Sequence, residues 1–348
     1  MKHYNFLIVG QGLAGSLLTY QLIKQNKSFL VIDDNSKLSS SKVAAGMFCP
    51  VGGKRMLKTW LADNLIEKLD KVYTELETFL NTTFYYKQDI IQYFNDNELE
   101  HFNKLINIPK NDERSIYIDL NKKTFKNIYD SSSITIKDGG WVNTEILLNS
   151  FEHYLKSNNY LINNLIDYKK IQKIDNKWIY NDFSFDNIVF CEGYKSINNP
   201  FFNYLPFQLS KGEVITVNIK EMPNEFILKK GVYLVSLDNE TYKVGASYEW
   251  KDLSLDSTEK GVEFIKNKLN TLIKSDYIIN NKLVGIRPTI LDKKPLLGEH
   301  SENKNMYIFN GLGTKGVMLA PYFSEVLIDF ILNKKPLPLE VDIKRFKV

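Results

Sequence analysis

The strongest restriction on the fold lies at the start of the chain, where Phe6-Leu7-Ile8-Val9 runs directly into Gly10-Gln11-Gly12-Leu13-Ala14-Gly15. Leu17, Leu18, Leu22 and Ile23 then recur at helical spacing up to Asn26. The order is strand, glycine turn, helix. In such a unit the first glycine permits the tight turn, the second lets a pyrophosphate approach the backbone, and the third lets helix and strand pack closely. The free N–H groups and positive dipole end of the helix face the phosphates. A second apolar run, Phe29-Leu30-Val31-Ile32, ends at Asp33, about 20 residues beyond the motif, where the fingerprint places an acid for ribose hydroxyls. Strand, turn, helix and acid together predict a bound dinucleotide.

The far end of the chain repeats the device. Met306-Tyr307-Ile308-Phe309 reads as a strand, Gly311-Leu312-Gly313-Thr314-Lys315-Gly316 as a second glycine turn, and Val317 to Ile331 as an amphipathic helix. Pro321 is expected in the first turn of that helix, where its missing N–H costs nothing. Two such turns imply a cofactor-binding domain that begins the chain, is interrupted, and is completed by the last segment. One NAD site has no need of the second turn. A flavin dinucleotide would use it well, because reduced flavin carries negative charge near N1 and C2=O that a helix dipole and Lys315 could stabilise; the alternative is a tight strand-to-helix connection and nothing more.

At 348 residues the chain is about twice the ~150-residue domain prior. From Val214 to Ser247 the alternation of strands dominates, Phe84 to Phe94 and Ile116 to Ile136 also read as strands, and Ile188 to Gly193 as a buried strand ending in glycine. Residues 54–80 read as a long core-facing helix bearing Leu57, Leu61, Leu65, Leu69, Val72, Leu76 and Phe79, and Trp141 to Leu155 as another helix. The expected fold class is therefore α/β: a Rossmann-like domain split in sequence, with an inserted, mostly antiparallel β-sheet substrate domain. The boundaries are set at 1–80, 138–200 and 285–348 for the first and 81–137 and 201–284 for the second.

Composition narrows the chemistry. Lys+Arg of 45 against Asp+Glu of 41 leaves a net charge of +4, too small to mark a dedicated nucleic-acid binder. Cys49 and Cys191 form neither a disulfide framework nor a C-x-x-C motif, so a reducing, cytoplasmic setting is expected. His3, His101, His153 and His300 are scattered, and no metal site is expected. No run approaches the ~18 apolar residues of a membrane span, and the apolar start of the chain breaks into glycines too early for a signal peptide. Arg287, in Val284-Gly285-Ile286-Arg287-Pro288, sits among apolar neighbours and needs an anion, either a substrate carboxylate or an internal ion-pair partner.

Taken in order, these segments resemble the FAD-dependent amine and amino-acid oxidase family that includes D-amino-acid oxidase, glycine oxidase and sarcosine oxidase. The match runs nearly end to end: the first glycine turn with Asp33, Ala44-Ala45-Gly46-Met47 after a Ser-rich turn, Gly139-Gly140-Trp141-Val142 and Val189 to Gly193. It continues through Lys211-Gly212-Glu213, Val244-Gly245-Ala246, Gly285-x-Arg287-Pro288 with Asp292 and Gly298, and Gly311 to Pro321. The resemblance implies FAD, with Gly10, Gly12, Leu13, Ala14 and Gly15 at the pyrophosphate, Asp33 at the ribose, and Ser41 and Lys42 near the phosphates. It sets Ala45, Gly46 and Met47 along the isoalloxazine, and Gly311, Gly313, Thr314, Lys315 and Gly316 in the turn at its pyrimidine edge, with Gly193 also on the cofactor. Arg287 matches the arginine that grips the substrate carboxylate, and Tyr233 a tyrosine that adds a hydrogen bond to it.

Two departures qualify the match. Thr314 stands where glycine oxidase has a second arginine, and no cysteine lies near 285–292, where sarcosine oxidase attaches its flavin, so the FAD is expected to be noncovalent. The implied reaction is oxidation of the C–N bond of a carboxylate-bearing amine, such as a D-amino acid, glycine or an N-alkyl glycine. Hydride goes to flavin N5, the imine is hydrolysed, and oxygen or another acceptor reoxidises the flavin. Gly311 to Gly316 and Gly245 to Tyr248 also resemble the oxidase domain that removes a carboxymethyl group from a modified wobble uridine, which makes tRNA the alternative substrate. A flavin-binding electron-transfer subunit with a structural Arg287 is the alternative of another class.

Overall fold

In the computed structural model, residues 1–35, 39–53 and 55–346 are described; positions 36–38, 54 and 347–348, inside the segments expected at 1–80, 54–80 and 285–348, lie outside the described residues. The parallel core of a mixed sheet is built around the N-terminal strand Lys2–Val9, flanked on one side by Phe29–Asp33 and then Leu161–Asn163, while Ile171–Ile174, Lys177–Tyr180 and Leu296–Glu299 add to it antiparallel. On its other side it pairs with Phe183–Phe190, whose second half runs parallel to Met306–Asn310. First and last segments of the chain thus meet in one sheet. Strand order reverses at Lys2–Val9, and open α/β sheets form their ligand crevice outside the carboxyl ends of the strands at such a point.

Helices Leu13–Lys24, Ala62–Leu80, Thr144–Ser157 and Gly316–Asn333 cover one face, with Leu17, Leu69, Phe151 and Phe323 buried in their common core. By length and composition Gly316–Asn333 is apolar enough to cross a bilayer, at a mean hydropathy of 1.3. Its apolar residues are instead spent on this core: Val317, Met318, Leu319, Phe323 and Leu327 are all buried. Pro321 lies well inside the helix rather than in its first turn. The proline has no N–H to offer Val317 O, four residues back, and the buried Tyr73 hydroxyl donates to that oxygen instead, at 2.9 Å.

The second layer is an eight-stranded sheet in the order 278–287, 210–218, 241–245, 233–236, 227–229, 90–93, 133–136, 118–119. Its pairings are antiparallel except between Ile227–Lys229 and Ile90–Tyr93. Strand Ile278–Arg287 runs through position 285, so this sheet reaches as far as Arg287. The structure is α/β with a separate, mostly antiparallel sheet, as expected.

Three local expectations need correction. The helix expected over 54–80 starts at Ala62, because Leu57–Lys58 pairs with Val51–Gly52 and Leu61 takes a left-handed φ of 56°. Leu57 and Phe79 are exposed rather than on its buried stripe. Trp141 and Val142 belong to strand Gly140–Val142, and the next helix begins at Thr144, with Asn143 accepting from the Ile146 N–H at 3.2 Å.

Candidate active site

A cavity of about 680 Å³ lies between the two sheets, at the carboxyl ends of the parallel strands. The first glycine turn forms its floor, with Gly10, Gly12, Leu13 and Ala14 in the wall. Gly10 has φ 105°, and a Cβ there would stand 2.5 Å from Cys191 O. Gly15 is not in the wall. A Cβ on it would lie 1.8 Å from Gly10 O, so it serves the close packing of helix on strand. No side chain caps Leu13–Lys24, and Leu13 N donates to Ser41 Oγ at 3.3 Å, so the helix start opens onto the cavity.

Asp33 ends the second strand and accepts from Gln11 N and Asn35 N, each at 2.7 Å. Burial raises its pKa, and the two N–H bonds act in the opposite sense. Lys42 reaches Asn35 Oδ1 at 3.1 Å and Glu152 at 3.7 Å, and lines the same end with Ser41 and Gly193. Glu192, beside them, accepts from Tyr168 Oη at 2.5 Å and Asn199 Nδ2 at 2.7 Å; burial pushes it up to about 7.

Ala45, Gly46 and Met47 continue the wall. Gly46, at φ 69°, has no room for a Cβ, which would sit 1.8 Å from Val142 O. The second turn contributes Gly313, Thr314, Lys315 and Gly316. Gly311 is outside the wall; its φ of 72° and a Cβ position 2.7 Å from Ile290 Cγ1 make it the bend of the turn. Lys315 precedes the helix Gly316–Asn333, which has neither a capping side chain nor an acid in its first turn. Burial lowers the Lys315 pKa, and its ammonium lies 3.4 Å from Thr59 Oγ1.

The antiparallel sheet supplies the opposite wall. Arg287 donates to Lys211 O at 3.2 Å and Ser247 O at 3.3 Å, and its Cζ lies 4.3 Å from the centroid of the Tyr248 ring. The internal ion pair that was the alternative for this arginine is not formed with any carboxylate among the described residues. Its guanidinium lies across Gly212, where a Cβ would stand 1.9 Å from Nη2. Behind it, Glu213 accepts from Ser247 Oγ at 3.1 Å and from Thr258 N at 2.7 Å, which steadies the loop that holds Ser247 O. Tyr233 lines the cavity next to Gly245, whose Cβ would approach its hydroxyl to 2.8 Å. Burial drives the Tyr233 phenol far above its ordinary pKa, with the charge of Arg287 acting the other way, so it keeps its proton across the working range and can donate a hydrogen bond.

Several wall residues were not anticipated. Lys229, Tyr248, Cys49 and Thr59 all face the cavity. A lysine closing the apolar run Phe226-Ile227-Leu228 was the available signal for Lys229. Lys243 is buried beneath the wall, its pKa lowered by burial, and donates to Ala44 O at 3.2 Å, pinning the loop that carries Ala45 to Met47.

The two glycine turns, the acid at the second strand and two open helix starts on one cavity define a dinucleotide-binding oxidoreductase fold. The family described as FAD dependent oxidoreductase (DAO) matches residues 5–330, and the chain belongs to it. FAD is accordingly its cofactor, and the residues present fit it: two helix starts without a capping side chain, at Leu13 and Gly316, line the cavity where its phosphates and pyrimidine edge are expected. Among curated relatives, glycine oxidase of Bacillus subtilis (strain 168) is 29% identical over 144 residues, 40% of this chain and 37% of that protein. The bifunctional protein ThiO/ThiG of Trichormus variabilis is 28% identical over 142 residues, 39% of this chain and 22% of that one. These matches thus span well under half the length of either relative. In structure, the chain is similar to iminodiacetate oxidase from Chelativorans sp. BNC1, with a TM-score of 0.75 at 19% identity, covering 97% of this chain and 98% of that one. Glycine oxidase from Geobacillus kaustophilus gives 0.76 at 18% identity, covering 97% of each chain.

Proposed function

We propose that the protein oxidises the C–N bond of a carboxylate-bearing amine. The observation that carries this is Arg287: a guanidinium on the cavity wall, held by two carbonyls, with no resident carboxylate among the described residues. Those two bonds occupy two of its five N–H donors, leaving others to grip a substrate carboxylate in a bidentate pair. The Tyr233 hydroxyl donates to the same group. FAD, when bound, supplies the acceptor for the hydride that leaves Cα as the nitrogen lone pair closes the imine. Water then converts the imine to a keto acid or aldehyde and releases the amine nitrogen.

The work of the chain is orientation, worth up to ~7–11 kcal/mol in favourable cases. Arg287 and Tyr233 fix one end of the substrate on the wall formed by the antiparallel sheet. A side-chain base is not required, because the neutral amine supplies its own electron pair. The test is Arg287→Ala with a panel of carboxylated amines under anaerobic mixing. A loss of kcat/KM is expected; a change within about threefold rules the clamp out.

A second reading, oxidation of the carboxymethylaminomethyl group of a tRNA wobble uridine, is supported by one surface feature. Tyr248 and Trp250 are stacked with centroids 6.1 Å apart, 53% and 64% exposed, next to Arg287. Exposed aromatics of this kind suit an unstacked base. The tRNA 5-methylaminomethyl-2-thiouridine biosynthesis bifunctional protein of Leptospira interrogans is 24% identical over 198 residues, 46% of this chain and 30% of that protein. Tight tRNA binding that weakens steeply with salt would favour this reading, and salt-indifferent turnover of free amino acids would remove it.

A further inference from the structure

The sheet-built half of the cavity holds more positive charge than one carboxylate requires. Lys229 pairs directly with Tyr233 across the antiparallel register, and Tyr233 pairs with Gly245, which pairs with Val214. Directly opposed residues project to one face of a sheet. Two residues back from Val214 on that same face is Gly212, over which the Arg287 guanidinium lies. Lys229, Tyr233 and Arg287 therefore share a face, and all three line the cavity. Tyr233 stands between the two cations. Four strand spacings, roughly 19 Å of backbone, separate Lys229 from Arg287; the guanidinium already lies one strand inward, over Gly212, and the lysine side chain reaches inward from the other flank to narrow the gap.

Among the described residues nothing answers the charge on Lys229. The acids of the cavity wall, Asp33, Asp34 and Glu192, follow strands of the other sheet, at the far end. Lys58, also on the wall, is already paired with Asp63 at 2.7 Å, and the neighbouring Lys211 with Asp252 at 2.8 Å. Among the described residues no carboxylate lies within ion-pair distance of Lys229. The ionisable neighbour on which Lys229 and Lys315 act is Cys49, and it stays a thiol: burial raises its pKa and its Sγ donates to Val51 O at 2.7 Å.

We propose that Lys229 binds a second carboxylate of the substrate, so that the amine oxidised here is a dicarboxylate, held by Arg287 and Tyr233 at one end and by Lys229 at the other. This rests on the amine-oxidation reading above and narrows it to a class: imino dicarboxylates and D-amino dicarboxylates. Lys229 is then a specificity residue, since it grips the group that distinguishes these from glycine or D-alanine.

The test uses the FAD-loaded enzyme and two measurements. In the first, kcat/KM is compared for iminodiacetate and D-glutamate against glycine and D-alanine. A preference of at least tenfold for the dicarboxylates is expected, lost by at least fivefold in Lys229→Met through KM, and retained in Lys229→Arg. In the second, binding of glutarate and butyrate, which have no amine to oxidise, is followed by the flavin absorbance. Lys229→Met should weaken glutarate at least fivefold more than butyrate. A preference for the monocarboxylate amines, or equal weakening of glutarate and butyrate, overturns the proposal. If no amine of either class bleaches the flavin, the oxidation reading fails, while the glutarate comparison still decides whether Lys229 receives a second carboxylate.

Discussion

Gly212→Ala separates the carboxylate clamp from the stability of the fold. A methyl at this position would stand 1.9 Å from Arg287 Nη2, 2.3 Å from Cζ and 2.6 Å from Nη1, far inside van der Waals contact. What it meets is the far end of a flexible side chain rather than backbone, so the guanidinium yields and the strand stays. Swinging away, Arg287 gives up its bonds to Lys211 O and Ser247 O and with them its aim at the substrate. A hydrogen bond to a charged group is worth about 1.5–3 kcal/mol. The expected loss in kcat/KM for carboxylated amines is therefore about 10-fold to 150-fold, carried by KM as well as kcat. FAD content and the thermal midpoint should remain near those of the parent. Steady-state kinetics on the amine panel, with flavin absorbance and a melting curve on the same preparation, provide the check. If kcat/KM changes by less than about threefold while the flavin stays bound, Arg287 is not where the substrate is held.

Three further outcomes follow from the same contacts. Tyr73→Phe leaves Val317 O without a donor in a buried helix, and should cost about 1–3 kcal/mol of stability in a denaturant titration; an unchanged midpoint would mean that the carbonyl finds another partner. Asp33→Ala removes the acceptor of Gln11 N and the carboxylate expected at the ribose, and should weaken FAD retention by about tenfold or more in a dialysis assay, with no loss expected if the ribose lies elsewhere. His300 Nδ1 accepts from Glu302 N and Asn303 N, both at 3.1 Å, and burial holds the imidazole pKa below 6.5. In the acidic window below 6.5 the unfolded chain binds a proton that the folded chain refuses, so the His300 contribution falls as pH drops and is complete above 6.5. An NMR titration with a His300 midpoint at or above 6.5 would contradict this.

The sequence carried the parts of the site that depend on local backbone demands. Gly10, Gly311 and Gly313 need positive φ (105°, 72° and 54°), and such needs leave a glycine signature in any chain. Asp33 was legible because it ends an apolar strand at a set distance from the first turn. What could not be read depends on residues distant in sequence. Pro321 looks intolerable inside a helix until Tyr73 is seen to reach Val317 O. Trp141 has an ambiguous pattern until the pairing with Met47 and Tyr86 makes it a strand residue. Lys229 is an ordinary end to an apolar run until the register sets it beside Tyr233.

On the substrate wall, the positions of the functional groups are set as much by missing side chains as by present ones. Gly212 leaves the volume that the Arg287 guanidinium fills, and Gly245 leaves room for the Tyr233 hydroxyl. Gly285 does the same at longer range: a Cβ there would lie 3.0 Å from Ser40 Cα and 3.4 Å from Val43 Cβ. The short helix Ser40–Val43, whose Ser41 Oγ accepts from Leu13 N in the first glycine turn, is thereby seated on the strand that ends two residues later at Arg287. Backbone meets backbone at that contact, so neither partner can give way as a flexible side chain would. The short helix beside the expected phosphates and the arginine expected on the carboxylate are in this way held by one close contact between that helix and the antiparallel sheet. A misplacement of about 1 Å at such a site can cost 10²-fold in rate, and a seat without an intervening side chain is the arrangement that leaves least room for one.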